Sequence, residues 1–540
     1  MTLRTLPAAA RRPDTPARPA LPALSTLGEL LDHAVRTWPD RPALTFPGEG
    51  VRVSWAELDR LVAAAAARLA AHGIGPGGRV GTMMANRLEY PVTWLACARL
   101  GAAMVPINVN YRRLDTGYVL QHSGVTVVVA DSPRYAGLAK MNADAREPLA
   151  LVDVDEAAPL HAAEPLAAPV TGETLLNIQY TSGSTGRPKG CLLSHTYWLA
   201  LARKNVLETP VLGPDDVMLT AQPFSYMDPQ WNLASAMAAG AELVVLDRFH
   251  PSTFWPSVRA HGVTFFYCLG VMPTLLATTD PRPDDRDHRV RVVACSGIPV
   301  GLHAALEDRY GVPWVESYGM TEIGSGTAVT MAEHDECVGS GSIGRATSRR
   351  ELRVVDPDGR PLPRGEIGEL VVRGSGLMDG YLDNPEATEQ AFRGGWFHTG
   401  DLARMEDTGL IYLVGRAKEM IRRSGENISP VEVEDAIRSH PAVRLVACVG
   451  VPDEVRGEEV KAYVVLRDDT AAPADVQRLV EEELAAHCDQ LLAYFKVPRY
   501  WTVRSRLPLT ASDKVAKAAL LAAENDPRTG AYDRAERRWR

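Results

Sequence analysis

The chain has 540 residues, too many for one hydrophobic core, so two or more domains are expected. A formal charge of −9 leaves no basic footprint, which argues against nucleic acid or an anionic membrane surface as partner. Seven scattered cysteines with no CxxC pair argue against a disulfide framework or a zinc site and suggest a reducing compartment.

In chain order, residues 1–23 are rich in Ala, Pro and Arg without an apolar segment, and read as a disordered tail rather than a signal peptide. No window reaches membrane-spanning length, so the expected address is cytoplasmic. Ser25 or Thr26 can cap a helix over 27–37. Helices over 55–72 and 90–100 then alternate with strands over 79–84 and 103–107, and further strands follow at 125–130, 241–245, 263–268 and 290–295. Val/Ile-rich strands alternating with helices predict an α/β domain of layered, mostly parallel sheets across 24–417.

Within it, residues 342–414 break into short strands between Gly, Pro and Asp turns, which predicts a small antiparallel or barrel-like subdomain. A helix over 430–439, strands over 443–451 and 460–466 and a helix over 474–487 describe a small α+β C-terminal unit, 418–525. The charged residues 526–540 are expected to fray as a tail.

The most informative stretch is Tyr180-Thr181-Ser182-Gly183-Ser184-Thr185-Gly186-Arg187-Pro188-Lys189-Gly190, between a β-like run and a helix starting near Ser194. Glycines let a loop turn its N–H groups inward, hydroxyls add donors, and Lys189 and Arg187 add positive charge. The pattern is a polyphosphate cradle. It is not a GxxxxGK[ST] P-loop, since no Gly-Lys-Ser/Thr follows the second glycine.

Five further blocks follow: Glu316-Ser317-Tyr318-Gly319-Met320-Thr321-Glu322, Trp396-Phe397-His398-Thr399-Gly400-Asp401, Gly415-Arg416-Ala417-Lys418-Glu419, Ser424-Gly425-Glu426-Asn427-Ile428, and Pro508-Leu509-Thr510-Ala511-Ser512-Asp513-Lys514. Their order and spacing, from about residue 24 to 521, resemble the adenylate-forming (AMP-binding) superfamily, and within it bacterial acid–CoA ligases of the crotonobetaine/carnitine–CoA ligase type.

That resemblance implies ATP- and Mg2+-dependent activation of a carboxylic acid to an acyl-adenylate, pyrophosphate release, and transfer to CoA. A carboxylate is already ionised at neutral pH, so catalysis would be positioning plus neutralisation of phosphate charge. It further implies that Thr181, Ser182, Gly183, Ser184, Thr185, Gly186 and Lys189 hold the β- and γ-phosphates, and that Glu322 with Thr185 holds the metal. Thr321 would contact the α-phosphate, Ser296, Gly297, Ile298, Pro299 and Tyr318 would lie against adenine, Asp401 with Arg416 at the ribose, and Gly319 is among the nucleotide-binding residues. Lys514, Thr185 and Glu322 form the implied catalytic set, Lys418 the hinge between half-reactions, and Gly425 a wall of the pantetheine tunnel. His195, His398, Cys191 and Cys295 read as structural, and Lys517 as a surface lysine.

The acid-binding block departs from the family, because Phe224 is followed by Ser225, and Asp228 stands three positions later. Phe224, Ser225, Met227, Asp228, Trp231, Gly270, Val271 and Tyr318 are the expected substrate pocket. Asp228 or Gln230 faces a polar or cationic group of the substrate, such as an amine, or else Asp228 sits in a surface turn with Pro229. Asp513 stands where the family usually has Gly. An aromatic or short unsaturated acid suits this lining. Alternatives are a non-CoA acceptor (a carrier-protein thiol, or an aryl amine diazotised through ATP-activated nitrite in specialised metabolism) and a nucleotide-binding scaffold without activity. The chain is expected to act as a monomer or homodimer.

Overall fold

The computed structural model describes residues 21–143, 148–156, 169–181, 188–417, 419–424, 426–468, 472–510, 514–524 and 526–540. The expected tail through residue 20, the loop residues Ser182, Gly183, Ser184, Thr185, Gly186 and Arg187, the expected hinge Lys418, Gly425 and Asp513 lie outside them.

The first helix, Leu27–Thr37, shows how local sequence sets position. Thr26 is its N-cap and Glu29 closes a capping box, so the threonine rather than Ser25 starts the helix. Leu27, Leu30, Leu31 and Ala34 follow helical spacing and are buried. The Leu27 N–H donates to Nδ1 of buried His195 at 2.9 Å, which ties this helix to the helix His195–Leu207.

Two sheets form the large domain. In one, Trp314–Met320, Val292–Ser296, Phe265–Leu269, Val217–Thr220 and Glu242–Val245 lie side by side and parallel. In the other, Ala150–Asp153, Val127–Ala130, Arg79–Met83, Ala103–Pro106 and Leu175–Thr181 are parallel. Such strands are covered on both faces, which explains their continuous apolar runs. The helix Met227–Ala239 is buried at every residue from Pro229 to Ala239, its polar Gln230, Asn232 and Ser235 each finding a hydrogen-bond partner. No described helix is long and apolar enough to cross a membrane.

Downstream, Arg350–Val355, Ile367–Gly374, Phe397–Met405 and Ile411–Arg416 pair as a four-stranded antiparallel sheet. The smaller C-terminal sheet is built on Val443–Asp453 and Gly457–Leu466, antiparallel to each other, with Tyr500–Val503 parallel to the second.

The helix expected near Ser194 is His195–Leu207, and the strand before it, Lys189–Ser194, pairs antiparallel with Leu175–Thr181. Two expectations need correction. The helix expected over 474–487 is Pro473–Arg478 and Ala485–Leu491 joined by a π turn, Leu479–Leu484. Residues 526–540 are not frayed: Tyr532–Asp533 pairs with Tyr500–Val503 and with Arg538–Trp539. Buried Asp533 accepts from Arg499 Nε at 3.1 Å and Arg540 Nη2 at 2.7 Å, so the terminal charges that suggest a tail form an ion-pair cluster.

His195 carries a pH dependence of known sign. Burial holds its imidazole down at about 4, against an ordinary value of 6.5. Between those values the unfolded chain takes up a proton that the folded chain refuses, so stability is lost as pH falls through that interval. Replacing His195→Asn should flatten the fall in thermal midpoint between pH 6.5 and 4. An unchanged slope would contradict the assignment.

Candidate active site

The hairpin base fixes one end of the site. Thr181 and Lys189 are register partners across the antiparallel pair, so the chain enters and leaves the phosphate loop side by side. A methyl group on Gly190 would fall 2.9 Å from Ile178 Cγ2, so this close crossing requires glycine. Lys189 Nζ lies over the Tyr381 ring, 4.7 Å from its centroid, and the Tyr381 hydroxyl donates to Glu322 Oε1 at 3.1 Å.

Glu322 sits just past the strand Trp314–Met320, in a tight return to Gly324–Ala328. At Gly319 a Cβ would stand 2.1 Å from the Gly324 carbonyl oxygen, so no larger residue fits. The Tyr197 hydroxyl donates to the Thr321 carbonyl at 2.9 Å. Arg350 clamps the far side, donating to the Ile323, Ser325 and Gly376 carbonyls at 2.7, 3.0 and 2.9 Å and to Ser375. Burial raises the Glu322 carboxyl above its usual range, opposed by Tyr381, Arg416 and Lys189. A buried, hard, negatively charged oxygen donor of this kind fits a Mg2+ ion.

A second wall comes from Ser296–Pro299. Buried Glu316 accepts the Gly297 and Ile298 N–H groups, each at 2.7 Å, while Ser296 receives the Tyr267 hydroxyl at 2.7 Å. Burial pushes the Glu316 carboxyl up to about 8 against those two bonds. Opposite, Tyr318 donates to Asp401 Oδ2 at 2.6 Å, and Arg416 Nε pairs with Asp401 Oδ1 at 2.9 Å. Asp401 and Arg416 are direct partners across adjacent strands. Asp401 stands behind Tyr318 and Arg416, which themselves line the cavity. Each of its oxygens retains a further lone pair for a ribose hydroxyl.

These groups surround one cavity of about 2070 Å³. Thr181, Lys189, Ser296, Gly297, Ile298, Pro299, Tyr318, Gly319, Thr321, Glu322, Arg416 and Lys514 all line it, as do Met227, Asp228, Trp231, Gly270 and Val271. The Thr510 N–H donates to the Lys514 carbonyl at 2.6 Å, and Lys514 brings the small domain to the cavity. Asp228 lies in the first turn of Met227–Ala239 rather than in a surface turn. Its carboxyl accepts from Trp231 Nε1 at 3.2 Å. Burial raises it, with the Lys514 charge acting in opposition.

Several expected pocket residues stand elsewhere. Phe224 is in the core, stacked on Tyr90 with ring centroids 5.5 Å apart, and buried Ser225 offers its carbonyl to Gln179. Gln230 is fully buried between Asn177 and the Phe224 carbonyl, so of the two polar candidates only Asp228 reaches the cavity. Lys517 is no free surface lysine: its Nζ lies 2.7 Å from Glu434, and against desolvation Glu434 and Glu419 together raise its ammonium. His195 accepts a backbone N–H, and His398 Nδ1 is bonded to Glu369 at 2.8 Å. Cys191 and Cys295 are buried, and burial raises both thiols.

Sequence reasoning missed Tyr381, Glu316 and Arg350 as parts of the site. Glu316 lies inside a quoted block and could have been suspected as a charge in an apolar strand. Tyr381 and Arg350 lie outside every block, with no local signal.

Phosphate-loop base, buried carboxylates and a lysine from a second domain, converging on one cavity, define an adenylate-forming ligase. The profile of the AMP-binding enzyme family matches residues 31–382, and that of the AMP-binding enzyme C-terminal domain matches residues 432–514. The chain is 32% identical to crotonobetaine/carnitine–CoA ligase of Salmonella arizonae over 518 residues, 92% of this chain and 98% of that one. The enzyme of the same name from Escherichia coli O9:H4 is 33% identical over 494 residues, 87% and 93% of the two chains. Among solved structures, o-succinylbenzoate CoA synthetase from Bacillus subtilis with its acyl-adenylate intermediate matches at TM-score 0.79 and 29% identity, covering 91% and 97% of the two chains. ATP-bound MatB from Rhodopseudomonas palustris matches at TM-score 0.81 and 27% identity, covering 91% and 98%. This chain belongs to the AMP-binding enzyme family.

Replacing Tyr381→Phe keeps the ring beneath Lys189 and removes one hydrogen bond to Glu322. Such a bond to a charged group is worth about 1.5 kcal/mol. The Mg2+ concentration for half-maximal pyrophosphate release should therefore shift by roughly tenfold without loss of thermal midpoint. An unshifted Mg2+ dependence would contradict the link.

Proposed function

We propose that the chain joins a carboxylic acid to ATP as an acyl-adenylate and then passes the acyl group to the thiol of CoA. In the first step a carboxylate oxygen attacks the α-phosphorus and pyrophosphate leaves. In the second the CoA thiolate attacks the acyl carbonyl and AMP leaves with the oxygen it gained. The observation carrying this reading is the convergence of Lys189, Glu322, Arg416 and Lys514 on one cavity from two domains.

In this reading Lys189 and the loop residues 182–187 hold the departing phosphates, and Lys514 holds the α-phosphate and the acid together. Mg2+, when bound at Glu322 with Thr185, would supply charge neutralisation for the polyphosphate. Glu316 fixes the Ser296–Pro299 wall for adenine, and Asp401 with Arg416 receives the ribose. The small domain turns at Lys418 between the two steps. The acid is aromatic or short and unsaturated, between Met227, Trp231, Gly270 and Val271. Asp228 meets a cationic or hydrogen-bond-donating nitrogen on it, since a desolvated carboxylate favours such a partner.

The test is pyrophosphate release with a panel of acids, each with and without CoA, for the wild type and Asp228→Asn. Acid-dependent release followed by CoA thioester formation is expected, with amine-bearing acids losing at least tenfold in kcat/KM in the variant. Release without thioester would favour a carrier-protein or amine acceptor. No release with any acid would contradict adenylation, and an unchanged acid profile would remove Asp228 from recognition.

A further inference from the structure

The helices His195–Leu207 and Met227–Ala239 run parallel and in step. The Tyr197 hydroxyl meets Met227 Sδ at 3.8 Å, and Asn205 Nδ2 donates to Ser235 Oγ at 3.0 Å. Both contacts join positions 30 residues apart, so each residue on one helix has a counterpart at a constant offset on the other. Lys204 is therefore level with Ala234, six positions beyond Asp228. At 1.5 Å per residue this places Lys204 about 9 Å deeper than Asp228 along the pocket.

The cavity reaches that depth, where Leu201, Lys204, Asn205, Phe265, Ala294 and Ser325 line it. Among the described residues no side chain gives the Lys204 ammonium a hydrogen bond or salt bridge. Glu208, one turn on, is the charge that acts on it, and the Glu208 carboxylate is already bonded to Ser348. Burial lowers this ammonium to about 8, as desolvation of an unpaired lysine must. Lys204 is half-buried in the cavity wall, and an unpaired cation partly withdrawn from water costs free energy that an apolar residue would not. A carboxylate arriving with the substrate would offset that cost.

We propose that Lys204 forms an anion subsite at the deep end of the acid pocket, and that the natural substrate is a dicarboxylic acid whose second carboxylate binds there. This rests on the adenylation reading above. One carboxylate reacts beside Lys514, the other is held by Lys204, and Asp228 meets a nitrogen substituent between them. Lys204 is thus a specificity-determining residue that takes no part in the chemistry.

The test uses the full-length protein and pyrophosphate release with pairs of acids sharing one skeleton: cinnamate and 4-carboxycinnamate, benzoate and terephthalate, butyrate and glutarate. In the best pair the diacid should exceed the monoacid at least tenfold in kcat/KM. Lys204→Met should abolish that preference while leaving kcat with the monoacid within about twofold, and Lys204→Arg should keep it. Equal or better use of monoacids in every pair would overturn the proposal while leaving adenylation intact. So would an unchanged ratio in Lys204→Met, with or without a shift in thermal midpoint. Should Lys204→Met fail to fold, the wild-type ratios and Lys204→Arg decide alone. Absence of pyrophosphate release with every acid would overturn both this proposal and the adenylation reading.

Discussion

Withdrawal of charge from water is the constraint on which this site depends. Burial raises the carboxyls of Asp228, Glu322 and Asp401, and in each case a cation on the same cavity opposes it: Lys514 at Asp228, Arg416 and Lys189 at Glu322, Arg416 and Lys514 at Asp401. Opposite charges are thus interleaved at low dielectric without being closed into tight pairs, except at Asp401–Arg416. A polyphosphate with its counter-ion meets such an arrangement with positive charge already facing the cavity. Lys514 ties the two domains together in this balance, since it acts on two carboxylates of the large domain from the small one.

Precision comes from backbone. The turn carrying Thr321 and Glu322 is held by Tyr197 on one side and by the several carbonyl bonds of Arg350 on the other, and Gly319 lets its two strands approach without a side chain between them. Asp401 joins the antiparallel sheet to the parallel one through Tyr318. The irregular stretch Thr399–Asp401 of the strand Phe397–Met405 is itself set by Glu369, which accepts from the Gly400 N–H at 3.0 Å and binds His398. Polar groups that recur in the sequence blocks therefore divide into those facing the cavity and those that aim them.

The sequence made the alternation of helices and strands readable because parallel strands buried on both faces leave uninterrupted apolar runs. Element ends moved by a residue or two, as at the helix Trp55–Ala71. The residues expected on the ATP side could be named, and the described ones meet at one cavity, because loops that bind phosphate and metal need glycine, hydroxyls and fixed charge at short spacing. The acid pocket was not. Its walls come from helices that pack in register across thirty positions, so Phe224 and Gln230 looked available until tertiary contacts with Tyr90 and Asn177 claimed them. Lys204 had no signal of its own, since a lysine on a helix reads as solvated until the helix is found buried. The C-terminal charges misled in the opposite direction. Asp533, Arg499 and Arg540 form a cluster only once distant segments meet.

The central claim is that a carboxylate oxygen bonds to the α-phosphorus of ATP in this cavity. Its most direct test is turnover of an acid labelled with 18O in both carboxylate oxygens, with mass analysis of the nucleotide released on CoA addition. The account predicts AMP carrying one 18O atom and an acyl thioester retaining the other. Unlabelled AMP, or ADP with labelled phosphate, would contradict it.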